Sequence, residues 1–514
     1  MVLKFRLACW LLSALPLFVF AQAPGTIDAS FGTAGVSNAS FLNSSSVSRC
    51  MARQPDGKLI LGGQYTSGGV GFMAFARFNT NGVLDNTFGN GGKAAIQFDN
   101  ANITVTAVHV LADGKIIAAG ISNGKPALLR LTTAGAPDNS FGTAGVVTFD
   151  NNLLGINDMM IVGGKIVGCG IADQGSGRVF CVFRRNANGT PDNSFGTAGF
   201  TYTNVGSQPT LTKMAVQTDG KILLTGTIYN NTTVYDLVLF RYTANGAPDN
   251  TFGTNGKVSS VFGPNSAYEL GAAIAVQPDG KIVVAGRLAN AGPTVFLVAR
   301  YNSGGTIDNT FGTNGSTTIK FGDNDEAKAV IIQPDGRIVV VGFSLSGTAN
   351  RIALARLTAT GAPDNTFGTS GKTTTLVGTR AWGEASLLQA DGKIVVGGYA
   401  DINNLRQFVA ARYHSGLMVS TQNPDPSVQE PVVFPNPAPA GEMAFFRCTL
   451  TRPAEILFRL FAADGRLVYA WPSQSLLPGE QVVPLMLPQG LPSSVYHLQW
   501  ATDLGAGSAL WTIE

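Results

Sequence analysis

Residues that could carry catalysis are few and scattered in this sequence of 514 residues. The three histidines, His109, His414 and His497, lie in different segments, which does not suggest a histidine cluster or a shared catalytic triad. No P-loop, G-x-S-x-G, H-E-x-x-H or C-x-x-C motif occurs. We therefore predict no catalytic residue, no metal ligand and no cofactor, and we interpret His109 as an ordinary strand residue.

The charged residues with regular spacing are arginine–aspartate pairs. An Arg is followed eight residues later by an Asp in Arg77/Asp85, Arg130/Asp138, Arg184/Asp192, Arg241/Asp249, Arg300/Asp308 and Arg356/Asp364. The unvarying spacing indicates a loop in which the guanidinium binds the carboxylate or nearby carbonyls as the chain passes to its next unit. Calcium is the alternative, but it needs about six to eight oxygens and each copy supplies one Asp. Asp28 and Arg412 lack partners, as expected at the two ends of a series.

These pairs belong to a repeat of about 56 residues that occurs seven times. A D-x-[TS]-F-G string or close variant has its Phe at 31, 88, 141, 195, 252, 311 and 367. A P-D-G-K string or variant has its Gly at 57, 114, 164, 220, 280, 336 and 392. Residues 161–165 of the third copy lack the Pro and Asp, so we expect a shortened hairpin there.

Each copy contains four segments with strand character, and helical periodicity is absent. In the fifth copy the segments are 257–262, 271–277, 281–285 and 295–301, with a Pro-Asp-Gly turn between the second and third. Four short strands with tight turns form the blade of a β-propeller. We predict an all-β fold with a seven-bladed β-propeller. A β-solenoid is the alternative, but it would not place a hairpin signal in every copy.

A ligand breaks the symmetry of a repeat, so a binding site should use positions at which the copies differ. Eight residues before the hairpin Gly lie Arg49, Thr106, Thr212, Ala272, Lys328 and Glu384, with Ile156 or Asn157 in the shortened copy. The predicted binding residues are Arg49, Glu269, Lys328, Arg380, Trp382 and Glu384. Trp382 could stack on a sugar ring or pack between blades six and seven. Ordinary solvated loops are the alternative for the whole set.

The two ends of the chain differ from the repeats. Lys4 and Arg6, the apolar run 7–20 and small residues before Gln22 predict a signal peptide over 1–21, cleaved after Ala21. A membrane anchor is the alternative, but Pro16 interrupts the run, which is short for a bilayer span. The propeller region, 22–415, is followed by a Pro-rich linker, 416–431, and by a predicted small β-sandwich, 432–514.

Composition narrows the class of protein further. Charged residues make up 13% of the chain and its formal net charge is +3, which argues against nucleic-acid binding. Four cysteines remain after removal of Cys9 with the signal peptide, too few for a dense disulfide scaffold. Cys169 and Cys181 could form a disulfide across neighbouring strands, or remain two small buried side chains.

Two resemblances cover most of the sequence. The strings DNTFG and QPDGKIVVAG resemble the delta-60 repeat family of secreted bacterial proteins over residues 25–415, a family that implies no particular site residue. Residues 434–438 (FPNPA), 464–468 (DGRLV) and 495–498 (VYHL) resemble the type IX secretion sorting domain (type A) of Bacteroidetes. The third string lacks the usual Gly before Tyr496, and the chain end lacks the usual basic residue. The signal peptide predicts the Sec pathway. The resemblance implies type IX secretion across the outer membrane, with that machinery as partner, followed by removal of the domain or attachment at the cell surface, and hence a secreted or outer-membrane location.

Three classes of function are compatible with these features. The one we predict is a surface binding or adhesion module for a glycan or envelope polymer, because export signals are present and catalytic groups are scarce. An extracellular hydrolase or lyase that uses charged residues of the propeller channel is the first alternative. A purely structural surface protein is the second.

Overall fold

The computed structural model describes residues 23–513 apart from 98–102, 123–124, 150, 230–234, 264–267, 290–291, 390, 418–427, 463–466, 492–493 and 503–505. Within that part the regular elements are β-strands, and no helix is long and apolar enough to cross a membrane. The predicted signal peptide and its cleavage site between Ala21 and Gln22 lie outside the described residues.

The repeats fold into seven blades of four antiparallel strands, which confirms the predicted propeller. The first strand, β1 (Val36–Ala39), precedes blade 1. Blades 1 and 2 contain β2 (Ser46–Arg53), β3 (Leu59–Ser67), β4 (Val70–Phe78) and β5 (Lys93–Gln97), then β6 (Thr104–Val110), β7 (Ile116–Ser122), β8 (Lys125–Leu131) and β9 (Val146–Thr148). Blades 3 and 4 contain β10 (Leu153–Val162), β11 (Lys165–Asp173), β12 (Arg178–Arg185) and β13 (Phe200–Thr203), then β14 (Ser207–Val216), β15 (Ile222–Tyr229), β16 (Tyr235–Tyr242) and β17 (Lys257–Ser260). Blades 5 and 6 contain β18 (Tyr268–Val276), β19 (Ile282–Ala289), β20 (Val295–Tyr301) and β21 (Ser316–Ile319), then β22 (Asn324–Ile332), β23 (Ile338–Ser346), β24 (Ala349–Leu357) and β25 (Lys372–Thr375). Blade 7 contains β26 (Arg380–Leu388), β27 (Ile394–Ile402) and β28 (Leu405–Tyr413).

The blades are out of phase with the sequence repeat. The segment predicted as the first strand of the fifth copy is β17, which pairs with β16 and is therefore the outer strand of blade 4. Blade 5 consists of β18 to β21, so that β20 is its third strand and not its fourth. Each repeat thus contributes the outer strand of one blade and the three inner strands of the next.

This phase shift lets the two ends of the propeller region close the ring without a covalent bond. Strand β1 pairs with β28 and supplies the outer strand that blade 7 would otherwise lack. Arg412 Nε lies 2.7 Å from Asp28 Oδ2. Asp28 and Arg412 were expected to be unpaired at the two ends of the arginine–aspartate series. In the folded protein they are partners of each other.

The arginine–aspartate pairs link consecutive blades, as their spacing predicts. We call each pair, together with the carbonyl that its arginine binds in the next blade, a clasp. In blade 4, Arg241 Nε lies 2.7 Å from Asp249 Oδ2, and Nη1 donates to the carbonyl of Ser303 in the next blade. The guanidinium carbon lies 4.5 Å from the centre of the Phe252 ring. Burial raises the pKa of the Asp249 carboxyl, but bonds from Thr251 and the Arg241 charge outweigh it and hold that pKa well below its usual range. Equivalent clasps occur in all seven blades.

The third copy has the shortened hairpin that its sequence predicts. Val162 pairs directly with Lys165. Gly163 and Gly164 form the two-residue turn between them with φ of 55° and 74°. Both residues need a positive φ in such a turn, which glycine adopts without steric cost.

Cys169 and Cys181 do not form a disulfide. Cys169 lies opposite Val182, and Cys181 lies opposite Gly170, on the neighbouring strands β11 and β12. Because side chains alternate between the faces of a sheet, the two sulfur atoms point into the cores on opposite sides of blade 3. The four described cysteines are all buried free thiols, so the alternative of small buried side chains is correct.

A second all-β unit follows the propeller, as predicted. One sheet contains β29 (Val428–Phe434), β30 (Met443–Leu450) and β34 (Gly479–Met486). The other contains β31 (Ala454–Ala462), β32 (Leu467–Ala470), β33 (Gln474–Leu476), β35 (Ser494–Ala501) and β36 (Ala506–Ile513). Phe446, Phe458 and Trp511 are fully buried in the core between the two sheets of this β-sandwich.

Candidate functional site

The varied position identified in the sequence is a β-bulge on the innermost strand of each blade. In β2 the bulge falls at Arg49, between Ser48 and Cys50. The same irregularity occurs at Thr106, Asn157, Thr212, Ala272, Lys328 and Glu384. Asn157 rather than Ile156 occupies the position in blade 3, because the hairpin there is one residue shorter. A bulge leaves its extra residue out of the strand ladder and re-aims its side chain.

The bulge residues divide the ring into two sectors. Thr106 Oγ1 donates to the carbonyl of Ile156 at 2.7 Å, Asn157 Nδ2 donates to the carbonyl of Leu211 at 2.9 Å, and Thr212 donates to Gly271. These bonds join blades 2 to 5. The charged bulge residues Lys328, Glu384 and Arg49 occupy the remaining sector, in blades 6, 7 and 1.

The innermost strands enclose a cavity of about 200 Å³ that residues from all seven blades line. Three of the predicted binding residues meet there, namely Arg49, Lys328 and Glu384. The other titratable side chains in the wall are Cys50, His109, Asp158 and Lys213. The cavity therefore lies on the propeller axis, where one site can be built from residues that differ among the blades.

Both lysines of the cavity have carboxylate partners. Lys213 Nζ lies 3.3 Å from Asp158 Oδ1, and the other oxygen of Asp158 accepts a bond from the Met214 amide at 3.1 Å. Lys328 Nζ lies 2.6 Å from Glu326 Oε1, and Glu326 Oε2 lies 3.1 Å from Arg287 Nη1. These contacts neutralise and orient the two ammonium groups.

Arg49 and Glu384, in contrast, make no side-chain hydrogen bond or ion pair with the described residues. They lie in adjacent blades, 1 and 7, on the two sides of the ring closure. Arg49 is exposed to solvent, while Glu384 is partly buried. Burial raises the pKa of the Glu384 carboxyl, against the opposing effect of the Lys328 and Arg49 charges. The cavity thus offers one free guanidinium and one free carboxyl to a ligand.

An aromatic stack adjoins these two groups. The Trp382 and Tyr399 rings stack with centroids 4.8 Å apart and an interplanar angle of 20°. Arg406 lies 5.4 Å from the Trp382 ring centre and 5.6 Å from that of Tyr399. Burial raises the pKa of the Tyr399 hydroxyl to about 12, the Glu384 charge adds to this rise, and the Arg49 charge opposes it.

The other three predicted binding residues lie outside the cavity. Trp382 is only 8% exposed and packs on Tyr399 of its own blade, so its ring has little free surface for a sugar. Arg380 is exposed and bonded to Asp401 at 2.8 Å. Glu269 is 1% exposed, and its Oε1 accepts bonds from the Phe262 and Gly263 amides, so this carboxylate holds those two residues in place.

Sequence reasoning missed Asp158 and Lys213, which lie one residue after the bulge in β10 and β14. Four other blades have Ala at this position, so a comparison of the copies one residue further along would have found the pair. The interpretation of His109 as an ordinary strand residue was incomplete, because it also lines the cavity. Burial lowers the pKa of His109. No group of three or more His, Cys, Asp or Glu in the described ranges could hold a metal ion.

The fold defines a seven-bladed β-propeller with a cavity on its axis. Seven segments match a family described as "Domain of unknown function (DUF5122) beta-propeller": residues 54–88, 111–141, 164–195, 217–252, 277–311, 333–367 and 389–416. Each of the seven repeats thus contains a segment that matches this family. No curated protein matches the chain.

Solved structures show only a general likeness. A fungal alcohol oxidase of the AA5 family, in complex with copper, is 15% identical with a TM-score of 0.42, over 93% of this chain and 98% of that one. Drosophila Semaphorin 2a is 9% identical with a TM-score of 0.45, over 93% and 97%. The polysaccharide lyase Uly1 is 11% identical with a TM-score of 0.43, over 74% and 89%. Similarity this low carries no argument about activity.

Proposed function

We propose that this protein is an exported surface protein whose propeller binds a glycan or envelope polymer at the axial cavity. The observation that carries the proposal is the convergence of Arg49, Lys328 and Glu384 in the cavity. These side chains occupy the position at which the repeats differ, whereas the residues that recur in every repeat are used to clasp the blades. A free guanidinium and a free carboxyl that line the same cavity suit a ligand that carries many hydroxyl groups.

Binding variants can test this proposal without endangering the fold. The bulge carries Ala at position 272, so Arg49→Ala and Glu384→Ala introduce a side chain that the same structural position already accepts. Exposed residues outside the cavity supply matched controls, Arg178→Ala and Glu480→Ala.

The measurement is glycan-array screening of the purified full chain, followed by titration calorimetry with each hit. A hydrogen bond to a charged group contributes about 1.5–3 kcal/mol. We therefore expect each cavity variant to weaken binding by roughly tenfold to a hundredfold, and each control to leave it unchanged. Cavity variants that are folded and bind every hit like the wild type would refute the proposal.

Export is proposed from the sequence and has its own test. The N-terminal pattern supports Sec-dependent export, and the resemblance of residues 432–514 to a sorting domain supports type IX secretion. Mass spectrometry of culture supernatant and outer-membrane fractions should find a chain that begins at Gln22 and has lost its C-terminal domain. Exported protein that retains residues 1–21, or an intact C-terminus, would contradict this part.

A second candidate function, an extracellular hydrolase or lyase, is favoured by one observation. The Glu384 carboxyl has a raised pKa and shares a cavity with Arg49, which is suitable for proton transfer. A glycoside hydrolase needs a second available carboxyl group, and that of Asp158 is already bonded to Lys213. Reducing-sugar release from each array hit distinguishes an enzyme from a binder.

A further inference from the structure

The size of the axial cavity limits what can enter it. Its volume of about 200 Å³ lies below the range of roughly 300–1,000 Å³ typical of sites for larger ligands. Seven closely packed strands line it, so the cavity accommodates one sugar-sized unit and not a segment of polymer. A polymer can therefore present only its end to the site.

The charges around the cavity favour an anion. Arg49, Lys213 and Lys328 line it together with Asp158 and Glu384, and Arg287 and Glu326 complete the ion-pair chain of Lys328. These seven residues comprise four cations and three carboxyl groups. The net charge of this set is therefore positive.

Arg49 is the cation that is best able to bind this anion. The two lysines are already bonded to carboxylates, whereas the Arg49 guanidinium is exposed and has no bonding partner among the described residues. A guanidinium matches a carboxylate with two parallel hydrogen bonds, which also fixes the orientation of the bound group. Glu384 is then placed to bond a hydroxyl of the same unit.

We propose that the axial cavity binds the terminal unit of an acidic glycan, with the sugar carboxylate on Arg49 and a ring hydroxyl on Glu384. This inference rests on the proposed function and specifies its ligand as a uronic acid at a chain end. Lys213 and Lys328 contribute positive potential, and their ion pairs keep the wall of the cavity rigid.

The probes are glucuronate, galacturonate and galacturonate oligomers, with glucose and galactose as neutral controls, titrated calorimetrically into the full chain. Uronates should bind at least tenfold more tightly than neutral sugars. The affinity per chain end should be the same for the monomer and the oligomers. Arg49→Ala should reduce uronate binding to the level of the neutral sugars, whereas Glu384→Ala should weaken both classes, and Arg178→Ala neither.

Three results would overturn the inference. If neutral sugars bind as well as uronates and Glu384→Ala weakens them, the acidic specificity is wrong while the proposed glycan site stands. If affinity per chain end rises steadily with oligomer length, recognition of a terminal unit is wrong. If no sugar or array glycan binds the wild-type chain, the inference and the proposed function both fail.

Discussion

The seven equivalent clasps allow the closure of the ring to be tested with an internal control. Asp28 and Asp249 have matching surroundings: each is almost fully buried, bonded to an arginine at 2.7 Å, and contacted by a lysine and a hydroxyl residue. The clasp of Asp249 joins segments that the chain already connects, whereas that of Asp28 joins its two ends. Asp28→Ala and Asp249→Ala therefore remove the same arginine, lysine and hydroxyl contacts with different topological consequences, and Asp28→Ala also removes the 3.7 Å contact with His414 Nε2.

The expected loss of stability can be worked out from the buried ion pair. Removing one partner of such a pair destabilises a protein by about 3–5 kcal/mol, a large share of a typical total of about 5–15 kcal/mol. In the Asp249→Ala variant the loss should appear in global unfolding, because covalent neighbours hold blades 4 and 5 together. In the Asp28→Ala variant it should also release β1, which is held to β28 by only four residue pairs.

Urea unfolding and native-state hydrogen exchange together measure both effects. Both variants should lose global stability, but only Asp28→Ala should lose amide protection in β1 and β28 under native conditions. The corresponding strands β16 and β17 should stay protected in Asp249→Ala. Equal protection of β28 and β16 in the two variants would refute the reasoning that closure is the weakest joint of the ring.

Three further predictions concern titratable groups. Glu384→Gln should raise the thermal midpoint at neutral pH. Burial raises the pKa of the Glu384 carboxyl in the folded protein above its value of about 4.3 in the unfolded chain. The contribution of this group to the free energy of unfolding therefore falls as the pH rises from the unfolded-state pKa through the folded-state pKa. Wild-type and variant midpoints that run parallel with pH would contradict this. The clasp carboxyls have pKa values in the folded protein well below their value of about 3.9 in the unfolded chain. The stability that they contribute is therefore fully present above the unfolded-state pKa, and it is lost as the pH falls from there through the folded-state pKa. Urea midpoints from pH 5 to pH 2 should therefore fall less steeply for Asp249→Asn than for the wild type, and equal slopes would argue against the clasp. Ellman's reagent should react slowly with the folded chain of residues 22–514, since burial raises the pKa of Cys50 to about 12 and of Cys448 to about 11, and it should count four thiols after unfolding. A count of two would demonstrate a disulfide that the geometry of β11 and β12 forbids.

The local features of this protein could be predicted from the sequence because each is specified by neighbouring residues. A turn signal such as Pro278-Asp279-Gly280 and the apolar strands beside it define a hairpin wherever they occur, and seven copies define seven hairpins. The spacing of Arg241 and Asp249 likewise determines a loop within one stretch of chain.

The candidate site could be predicted only in part, for a reason that Trp382 and Lys213 illustrate. The variation among repeats pointed to Arg49, Lys328 and Glu384, which do share the cavity. The same variation pointed to Trp382, which packs on Tyr399. It did not point to Lys213, whose partner Asp158 is 55 residues away. Variation shows that a position differs, but the contacts that its side chain makes in the folded protein decide whether it serves the fold or a ligand.

The sequence by itself determined the repeat, the number of blades, the hairpins and the loops that carry the clasps, because these depend on contacts between residues close in the chain. Only the tertiary structure decided the phase of the blades, the pairing of Asp28 with Arg412 across 384 residues, and the meeting of Arg49 with Glu384 in one cavity. These features depend on where the ring closes. Closure is a property of all seven blades together, since the small rotation between neighbours must add up to a full turn before the two ends can meet.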